Sequence, residues 1–332
     1  MLRIGVVGTG AIGTEHARTL ATRVAGASVA AVYDVDGARA ASIAHEVGAV
    51  ALDSAEAVIR AHDVDALVLA SPSHTHAQQV LTCIDAGKPV LCEKPLAQLV
   101  EECIAVVRAE AAGGRHLVQL GFMRRFDPGY LEVKRAIDSG SIGTPLVLHC
   151  VHRNADVPPG FQTSMSMTDS AIHEFDVVRW LLDDDIAGVR VLFPRATPNG
   201  ADIADPQLAI VEMVSGVIVT VEAFLTCGFG YEVRCEVVGS DGLATLDHPR
   251  LSSLTTLGSR REMVADTWMT RFGDTYRIEL QAWADAVRDG RSVGASAWDG
   301  YAATAAADAA VKAQKSGQRE PVTMIERPAF YA

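Results

Sequence analysis

The first part of the chain alternates short apolar runs with longer segments in which apolar residues recur at helical spacing. This alternation is typical of βαβ units, in which helices connect the strands of a parallel sheet. The predicted strands are Leu2–Gly8, Ser28–Tyr33, Ala66–Ala70, Pro89–Cys92 and His116–Leu120, and the predicted helices are Thr14–Ala25, Asp36–Val47, His76–Gly87 and Leu99–Gly113. We therefore expect an N-terminal α/β domain with a doubly wound parallel sheet over residues 1–122.

The second part of the chain has one predicted helix followed by β-rich runs that no helix separates, a pattern that favours an antiparallel or mixed sheet. The helix is Tyr130–Ile137, and the strands are Leu146–Val151, Val189–Phe193, Leu208–Val214, Val217–Phe224 and Tyr231–Val238. Hairpin turns are predicted at Met213–Val217 and Gly239–Gly242, and the alanine-rich Ala302–Lys315 favours a terminal helix. We expect residues 123–332 to form an α/β domain with an open, largely antiparallel sheet, whose C-terminal helix can pack back on the first domain.

The composition limits the partners and the compartment. Of 332 residues 49% are hydrophobic, enough for two cores, and 41 acidic against 29 basic side chains give a net charge of −12. An acidic chain is a poor ligand for nucleic acids and anionic membranes. No apolar run approaches the roughly 20 residues that cross a bilayer, and the N-terminal run is too short for a signal peptide. The six cysteines form no C-x-x-C pair, so we expect free thiols in a cytoplasmic protein.

A glycine-rich motif, Gly8-Thr9-Gly10-Ala11-Ile12-Gly13, follows the first predicted strand and opens the first predicted helix. In this context the first glycine makes a tight turn, the second lets the backbone approach a pyrophosphate, and the third lets helix and strand pack closely. The helix N-terminus then offers N–H groups to the anion. We predict that Gly8, Gly10, Ala11, Ile12 and Gly13 bind a dinucleotide; a flexible loop is the alternative.

An acidic residue, Asp34, ends the second predicted strand, 21 positions after Gly13. A carboxylate at this spacing accepts hydrogen bonds from the adenosine ribose, and its charge repels a 2′-phosphate. The predicted cofactor is therefore NAD rather than NADP. The alternative for Asp34 is a turn residue at the end of its strand.

A first candidate for catalysis follows the predicted strand Pro89–Cys92, where the chain reads Glu93-Lys94-Pro95. An ammonium group at the carboxyl edge of a parallel sheet can donate to a substrate hydroxyl and stabilise the alkoxide that develops. Lys94 is thus a candidate catalytic residue, with a surface lysine as the alternative. The nearby ammonium could also favour a thiolate at Cys92, for which simple packing is the alternative.

A second candidate lies on a helix predicted to start at Thr168 and to continue through Leu182. Asp169 and His173 are four residues apart and therefore share one face of that helix. An imidazole oriented by a carboxylate is a base that works near neutral pH, which the oxidation of an alcohol needs. The alternative is a helix-capping aspartate and a structural histidine.

Three motifs in this order, Gly8–Gly13, Glu93-Lys94-Pro95 and Asp169-x-x-x-His173, resemble those of the Gfo/Idh/MocA oxidoreductase family, typified by glucose-fructose oxidoreductase and inositol dehydrogenase. The resemblance spans nearly the whole chain. The strings Gly121–Tyr130 and His152-Arg153-Asn154 are similar to those of the inositol dehydrogenases within that family. The resemblance implies an NAD-binding Rossmann domain, a second α/β domain whose open sheet often serves as an oligomer interface, commonly in a homo-tetramer, and no metal.

The resemblance also implies a reaction and the residues that carry it. The reaction is the NAD-dependent oxidation of myo-inositol, or of a close cyclitol, to 2-keto-inositol. Lys94, Asp169 and His173 would form the catalytic group, with His173 as the base and Asp169 orienting it. The further residues implied for the cofactor are Ser71, Pro72, Glu93 and Lys94, and those implied for the polyol are Lys94, Met123, Arg124, His152, Asn154, Asp169, His173 and Tyr231.

Two departures from the family pattern leave the stereoisomer open. Ser170 stands where the pattern has threonine, and the loop Ala155–Gln162 differs from it. The first alternative is therefore a dehydrogenase of another inositol isomer or of a sugar. A separate alternative is an NAD-binding regulator without turnover. The joint presence of Lys94, Asp169 and His173 argues against a regulator, because a sensor has no need of a proton acceptor.

Overall fold

The N-terminal part folds into alternating strands and helices in the computed structural model, which describes residues 1–200, 203–246, 252–262 and 264–332. The strands are β1 (Leu2–Val7), β2 (Ala27–Tyr33), β3 (Val50–Ala51), β4 (Ala66–Leu69), β5 (Val90–Cys92) and β6 (Val118–Leu120). The helices are α1 (Ala11–Thr22), α2 (Gly37–Val47), α3 (Ala55–Arg60), α4 (His76–Asp85) and α5 (Val100–Gly113). All four residues of β4 are buried, as expected for a strand covered on both faces.

The rest of the chain is rich in strands and ends with two long helices. Its first elements are α6 (Pro128–Asp138), β7 (Pro145–Arg153), α7 (Ile172–Leu182), β8 (Ile186–Leu192), β9 (Gln207–Met213), β10 (Ile218–Phe224), β11 (Glu232–Gly239), β12 (Leu243–Leu246), β13 (Ser253–Thr256) and β14 (Ser259–Glu262). Its last are α8 (Trp268–Arg288), β15 (Ala295–Ser296), α9 (Ala297–Ser316) and β16 (Glu320–Pro321). In the described ranges no helix has the length and apolar character needed to cross a membrane.

The strands form two large sheets of different kinds. The first has the order β15-β6-β5-β4-β1-β2-β3, and its strands are parallel except for the short β15. The second has the order β12-β11-β7-β10-β9-β8-β16, and only its β7–β10 pair is parallel. Residues of β9 alternate between buried and partly exposed, which is typical of a sheet with one covered face. The predicted fold class, a parallel doubly wound sheet plus a largely antiparallel one, is confirmed.

Two compact units divide the chain, and both are discontinuous in sequence. The first unit contains Met1–Phe126, Asp274–Thr304 and Ile325–Ala332, and the second contains Asp127–Gly273 and Ala305–Met324. Residues of α8 and of α9 are thus shared between the units. The division at residues 122 and 123 stays a prediction about the domains.

One predicted element differs from the structure at a position that matters for the candidate chemistry. The helix expected to start at Thr168 begins instead at Ile172, after a π-helical segment over Ser166–Ser170. Residue Asp169 therefore does not cap α7; its N-cap is Ala171, which makes no side-chain capping bond. The prediction of one continuous α-helix was wrong because the wider π turn is not visible in a periodicity of 3.6 residues.

Candidate active site

The glycine motif forms a turn that leads into the N-terminus of α1. A Cβ at Gly8, which has a φ of 90°, would lie 2.5 Å from the carbonyl of Ala70, and one at Gly13 would collide with the Gly8 carbonyl oxygen. By contrast, no heavy atom lies within 4 Å of the position of a Cβ at Gly10. Gly10 is the N-cap of α1, and it has no side chain that could form a capping hydrogen bond. Packing thus requires two of the glycines, and the third leaves open space beside the helix N-terminus, which fits the pyrophosphate of a dinucleotide.

The carboxylate of Asp34 lies at the end of β2 and receives four hydrogen bonds. The backbone N–H and hydroxyl of Thr9 donate to Oδ2 at 2.6 and 3.0 Å, and Asp36 N and an Arg39 guanidinium nitrogen donate to Oδ1 at 2.9 and 2.6 Å. Burial acts to raise the pKa of Asp34, but the bonds from Arg39, Asp36 and Thr9 outweigh it and lower the pKa to about 2. The carboxylate is therefore charged at any physiological pH, as the predicted repulsion of a 2′-phosphate requires.

The strand β5 delivers Cys92, Glu93 and Lys94 to the carboxyl edge of the first sheet. Cys92 is fully buried, and burial raises the pKa of its thiol well above the ordinary value. Burial therefore disfavours the thiolate considered above, and Cys92 packs in the interior of the first unit. Glu93 is buried, and its Oε1 lies 2.7 Å from Nε2 of the buried His16 on α1. Lys94 is only partly buried.

The loop after β4 carries Ser71 and Pro72, and its neighbour His76 starts α4. The Ser71 hydroxyl lies 2.7 Å from Gln79 Oε1. The ring nitrogens of His76 lie 2.7 Å from the Pro95 carbonyl oxygen and 2.8 Å from that of Ser71. Burial lowers the pKa of His76, and its bonds to the two carbonyls oppose that effect. His76 therefore links the Ser71 loop to the segment that carries Lys94.

A cluster of aromatic and imidazole rings forms within the second unit. Nδ1 of His152, on β7, lies 3.0 Å from Oε2 of Glu174 on α7, and both side chains are buried. The His152 ring centroid is 6.5 Å from that of His173 and 6.2 Å from that of Tyr231. Tyr231 in turn packs edge-to-face on Phe272 at 6.3 Å. Three residues predicted to contact the polyol are thus brought together.

Two further predicted residues of the second unit lie near these elements in sequence. Asn154 follows β7 directly, and its buried Oδ1 accepts no hydrogen bond from the protein. Such a group is costly to bury unless a ligand or water donates to it. The hydroxyl of Thr168 donates to Oδ2 of Asp169 at 2.8 Å. Within the described residues, no group of three or more His, Cys, Asp or Glu side chains could hold a metal ion.

The predicted site residues divide between the two units. Met123 and Arg124 lie in a short 3₁₀ turn of the first unit, and both are buried. The residues assigned to the first unit are Gly8, Gly10, Ala11, Ile12, Gly13, Asp34, Ser71, Pro72, Glu93, Lys94, Met123 and Arg124, and those assigned to the second are His152, Asn154, Asp169, His173 and Tyr231. The structure thus places the residues predicted to bind the cofactor in one unit, and the ring cluster in the other.

Two buried residues of these sites were not predicted, namely His16 and Glu174. Each is one half of a histidine–glutamate pair, and each lies close in sequence to a predicted residue. A charged residue on the apolar stripe of a predicted helix is a signal that could have pointed to Glu174, because such residues are rarely buried without a partner. His16 gave the same signal three positions after Gly13.

Comparison with known proteins identifies the family. A protein-family model described as an oxidoreductase family with an NAD-binding Rossmann fold matches residues 2–122. The family model of the C-terminal alpha/beta domain of the same oxidoreductase family matches residues 134–324. The chain is 48% identical over 331 residues to inositol 2-dehydrogenase 3 of Saccharopolyspora erythraea, covering 99% of this chain and 98% of that one.

Two solved structures are similar over nearly the whole chain. The myo-inositol dehydrogenase from Lactobacillus casei, in complex with NAD(H) and myo-inositol, has a TM-score of 0.97 and 33% identity, covering 100% of both chains. The scyllo-inositol dehydrogenase from Lactobacillus casei, with NAD(H) and scyllo-inositol, has a TM-score of 0.88 and 26% identity, covering 97% of this chain and 99% of that one. With its glycine turn, its charged Asp34 and these matches, the chain belongs to the Gfo/Idh/MocA family of NAD-dependent oxidoreductases.

Proposed function

We propose that this enzyme oxidises a secondary hydroxyl group of myo-inositol, or of a closely related cyclitol, to the ketone, with NAD as cofactor. The observation that carries the proposal is the ring cluster of His152, His173 and Tyr231. Imidazole and phenol groups, with the buried Asn154 Oδ1 nearby in sequence, offer the matched hydrogen bonds that a substrate dense in hydroxyl groups needs. The similar enzyme that binds NAD(H) and myo-inositol supports the same substrate class.

The proposed chemistry removes one proton and one hydride from the same carbinol group. His173 takes the hydroxyl proton as general base, and Asp169 orients its ring. The Lys94 ammonium donates to the same oxygen and stabilises the negative charge that develops as the O–H bond breaks. The glycine turn and Asp34 would hold NAD, which would supply the acceptor for the hydride of the ring carbon. The C–O bond becomes a carbonyl, so that 2-keto-inositol is the expected product of myo-inositol.

The first experiment measures NADH formation by the purified protein with NAD and a panel of polyols. The panel contains myo-, scyllo- and chiro-inositol, glucose, xylose and galactose. Turnover of myo-inositol or another cyclitol is expected, and the preferred isomer follows from kcat/KM. Turnover of a sugar alone would replace the cyclitol with that sugar. If no polyol of the panel were oxidised while NAD bound tightly, the result would contradict the proposal and favour the NAD-binding regulator.

A variant of Lys94 tests the proposed role of the ammonium. Lys94→Ala is expected to lower kcat by at least about a hundredfold, because the developing alkoxide loses its charged donor. The Kd for NAD, measured by fluorescence titration, should change little. Lys134→Ala, on α6 at some distance in sequence, is the control for loss of a lysine. Equal activity of the Lys94→Ala variant would show that Lys94 is a surface lysine only.

The partners expected from the sequence follow from this function. The substrate is a small neutral polyol, and the net charge of −12 makes nucleic acid an unsuitable ligand. The homo-tetramer and the cytoplasmic location stay predictions that rest on the family resemblance and on the cysteine pattern of the sequence.

A further inference from the structure

We propose that His16 is a positioning residue for Lys94. In this interpretation His16 holds the carboxylate of Glu93, and Glu93 holds the main chain from which the Lys94 side chain extends. The inference rests on the proposed function, because it concerns the residue that would act on the substrate hydroxyl. It also links α1, whose N-terminus faces the cofactor site, to the Lys94 segment within the first unit.

The His16–Glu93 pair is buried. His16 is completely buried, Glu93 is 6% exposed, and Nε2 and Oε1 are 2.7 Å apart. The ring of His16 also packs edge-to-face on Tyr276 at 5.7 Å. Burying an imidazole and a carboxylate costs solvation energy, and apolar residues of similar volume often stabilise a core as well or better. A pair that contributes little net stability is well explained by a need for position.

Glu93 also contacts the next residue, Lys94. The backbone N–H of Lys94 donates to Glu93 Oε2 at 3.3 Å, so that one carboxylate receives His16 and the Lys94 main chain on different oxygens. Gly121, directly after β6, leaves the space that this carboxylate fills. A Cβ at Gly121 would lie 3.0–3.1 Å from the carboxylate atoms of Glu93. The carboxylate is therefore enclosed and has little freedom to move.

The segment that carries Lys94 is also anchored on its other side, at Pro95. His76 contacts the carbonyl oxygen of Pro95 at 2.7 Å, and its second nitrogen contacts that of Ser71. The residues on either side of Lys94 are thus each held by a buried imidazole, His16 through Glu93 and His76 directly. Catalytic groups need placement within about 0.5 Å, and neighbouring hydrogen bonds supply it. The structure assigns this task to His16 and Glu93.

The test replaces His16 by leucine and by glutamine in the full chain. His16→Leu removes the bond to Glu93, and we expect kcat to fall about thirtyfold while the Kd for NAD stays within about twofold. His16→Gln can place an amide N–H near the position of Nε2, so that it should recover at least a third of the lost activity. A purely structural role would lower the melting temperature and leave kcat of the folded fraction unchanged.

A matched control separates position from stability. Tyr331 donates its hydroxyl to the buried Glu110, which also accepts from the backbone of Leu117 and Val118, all in the first unit. Tyr331→Phe therefore removes a hydrogen bond to a buried carboxylate that is not part of the Lys94 segment. We expect it to lower the melting temperature and leave kcat unchanged. An equal loss of kcat in both variants would overturn the positioning role.

Two further measurements keep the inference separate from the proposed function and from folding. Competitive acetylation followed by mass spectrometry reports the reactivity of each lysine without any polyol. In His16→Leu the rate at Lys94 should change at least about threefold, and that at Lys134 and Lys312 should not. Gly121→Ala places a methyl group against the carboxylate of Glu93 without changing His16, and it should also lower kcat. This variant replaces His16→Leu as the test if His16→Leu does not fold.

The outcomes are distinct. If the wild-type enzyme oxidises cyclitols while His16→Leu and Gly121→Ala keep both kcat and Lys94 reactivity, the positioning role is wrong and the proposed function stands. If the wild-type enzyme oxidises none of the polyols, the proposed function fails. Lys94 reactivity then still decides whether His16 positions that side chain: an altered rate supports the role, and an unchanged rate overturns it.

Discussion

Among the described residues, each unit of the molecule contains a buried histidine–glutamate pair, and the two pairs are used differently. In the first unit His16 and Glu93 are 2.7 Å apart, and the carboxylate also accepts from the main chain of the next residue. In the second unit His152 and Glu174 are 3.0 Å apart, and the imidazole belongs to a cluster of rings. We infer that the first pair positions a stretch of backbone, and that the second orients a ring.

The same chemical pair can thus serve two parts of the proposed reaction. A carboxylate at Nδ1 of His152 favours the Nδ1–H tautomer, which leaves the lone pair on Nε2. A ring in that state can accept a hydrogen bond from a hydroxyl group. His16, by contrast, presents Nε2 to its carboxylate, and its Nδ1 is buried without a hydrogen-bond partner. We therefore expect variants of the second unit to affect polyol recognition or proton transfer, and variants of the first to affect cofactor choice or the Lys94 position.

The largest expected effect is that of His173, the proposed base in the ring cluster. His173→Ala should lower kcat by at least about a hundredfold and leave the Kd for NAD nearly intact, because the proton of the hydroxyl group loses its acceptor. The measurement is NADH formation with the preferred polyol, next to a titration with NAD. His149→Ala, an exposed histidine on β7 that contacts Thr220, is the control and should retain activity. Retention of kcat by His173→Ala would show that His173 is not the general base.

A smaller effect is expected for Glu174, because it acts through His152. Glu174→Gln keeps the shape of the side chain and removes its charge, so that His152 loses the preference for its Nδ1–H tautomer. We expect KM for the polyol to rise roughly tenfold, with kcat less affected and the Kd for NAD unchanged.

The control for this variant is Glu222→Gln on the second sheet, where Arg153 donates to Glu222. It removes the same charge from an ion pair that is more exposed than the His152–Glu174 pair. If Glu174→Gln changed NAD affinity while KM stayed constant, the contrast between the two units would be wrong.

The same contrast explains how much of the site the sequence could predict. The glycine turn and Asp34 were predictable, because the glycine spacing and an acidic residue after the second strand are a local sequence signature of one βαβ unit, although Ala70 after β4 also packs against Gly8 and Gly13. The His152–Glu174 pair was not, since its members are 22 residues apart on a strand and a helix. Only the tertiary fold brings them together.

Among the elements that were not predicted, two were missed for different physical reasons. The π-helical segment Ser166–Ser170 has no signature in the apolar periodicity. The long helix α8 does have one, since Phe272, Tyr276, Leu280 and Trp283 are buried at helical spacing. The polar residues on the same stretch, among them the buried Glu279, weaken that pattern. In principle α8 could have been found from the sequence, whereas the π turn could not.

The smallest effect on catalysis, and the sharpest test of the first unit, concerns Asp34. Its carboxylate already receives four hydrogen bonds, which is about the number that a carboxylate can accept, so that a ribose hydroxyl must displace one donor. The Arg39 side chain is one of these donors, and 45% of it is accessible. Removing Asp34 would therefore both abolish the repulsion of a 2′-phosphate and release a guanidinium group that can bind one.

We expect Asp34→Ala to raise the ratio of kcat/KM with NADP to that with NAD at least about tenfold, with kcat for the polyol little changed. The double variant Asp34→Ala/Arg39→Ala should lose most of the gain in NADP use, because no cation then replaces the carboxylate. The pKa of Asp34 is held at about 2, below its ordinary value of 3.8, so that its contribution to the free energy of unfolding is present above about pH 4 and lost as the pH falls towards 2. The charge of Asp34 should accordingly be constant from about pH 5 to about pH 8, so that a change in the preference for NAD over this range would come from the 2′-phosphate of NADP, whose second pKa is about 6. An unchanged preference in Asp34→Ala would show that Asp34 only orders the turn after β2, and that the first unit selects its cofactor by other means.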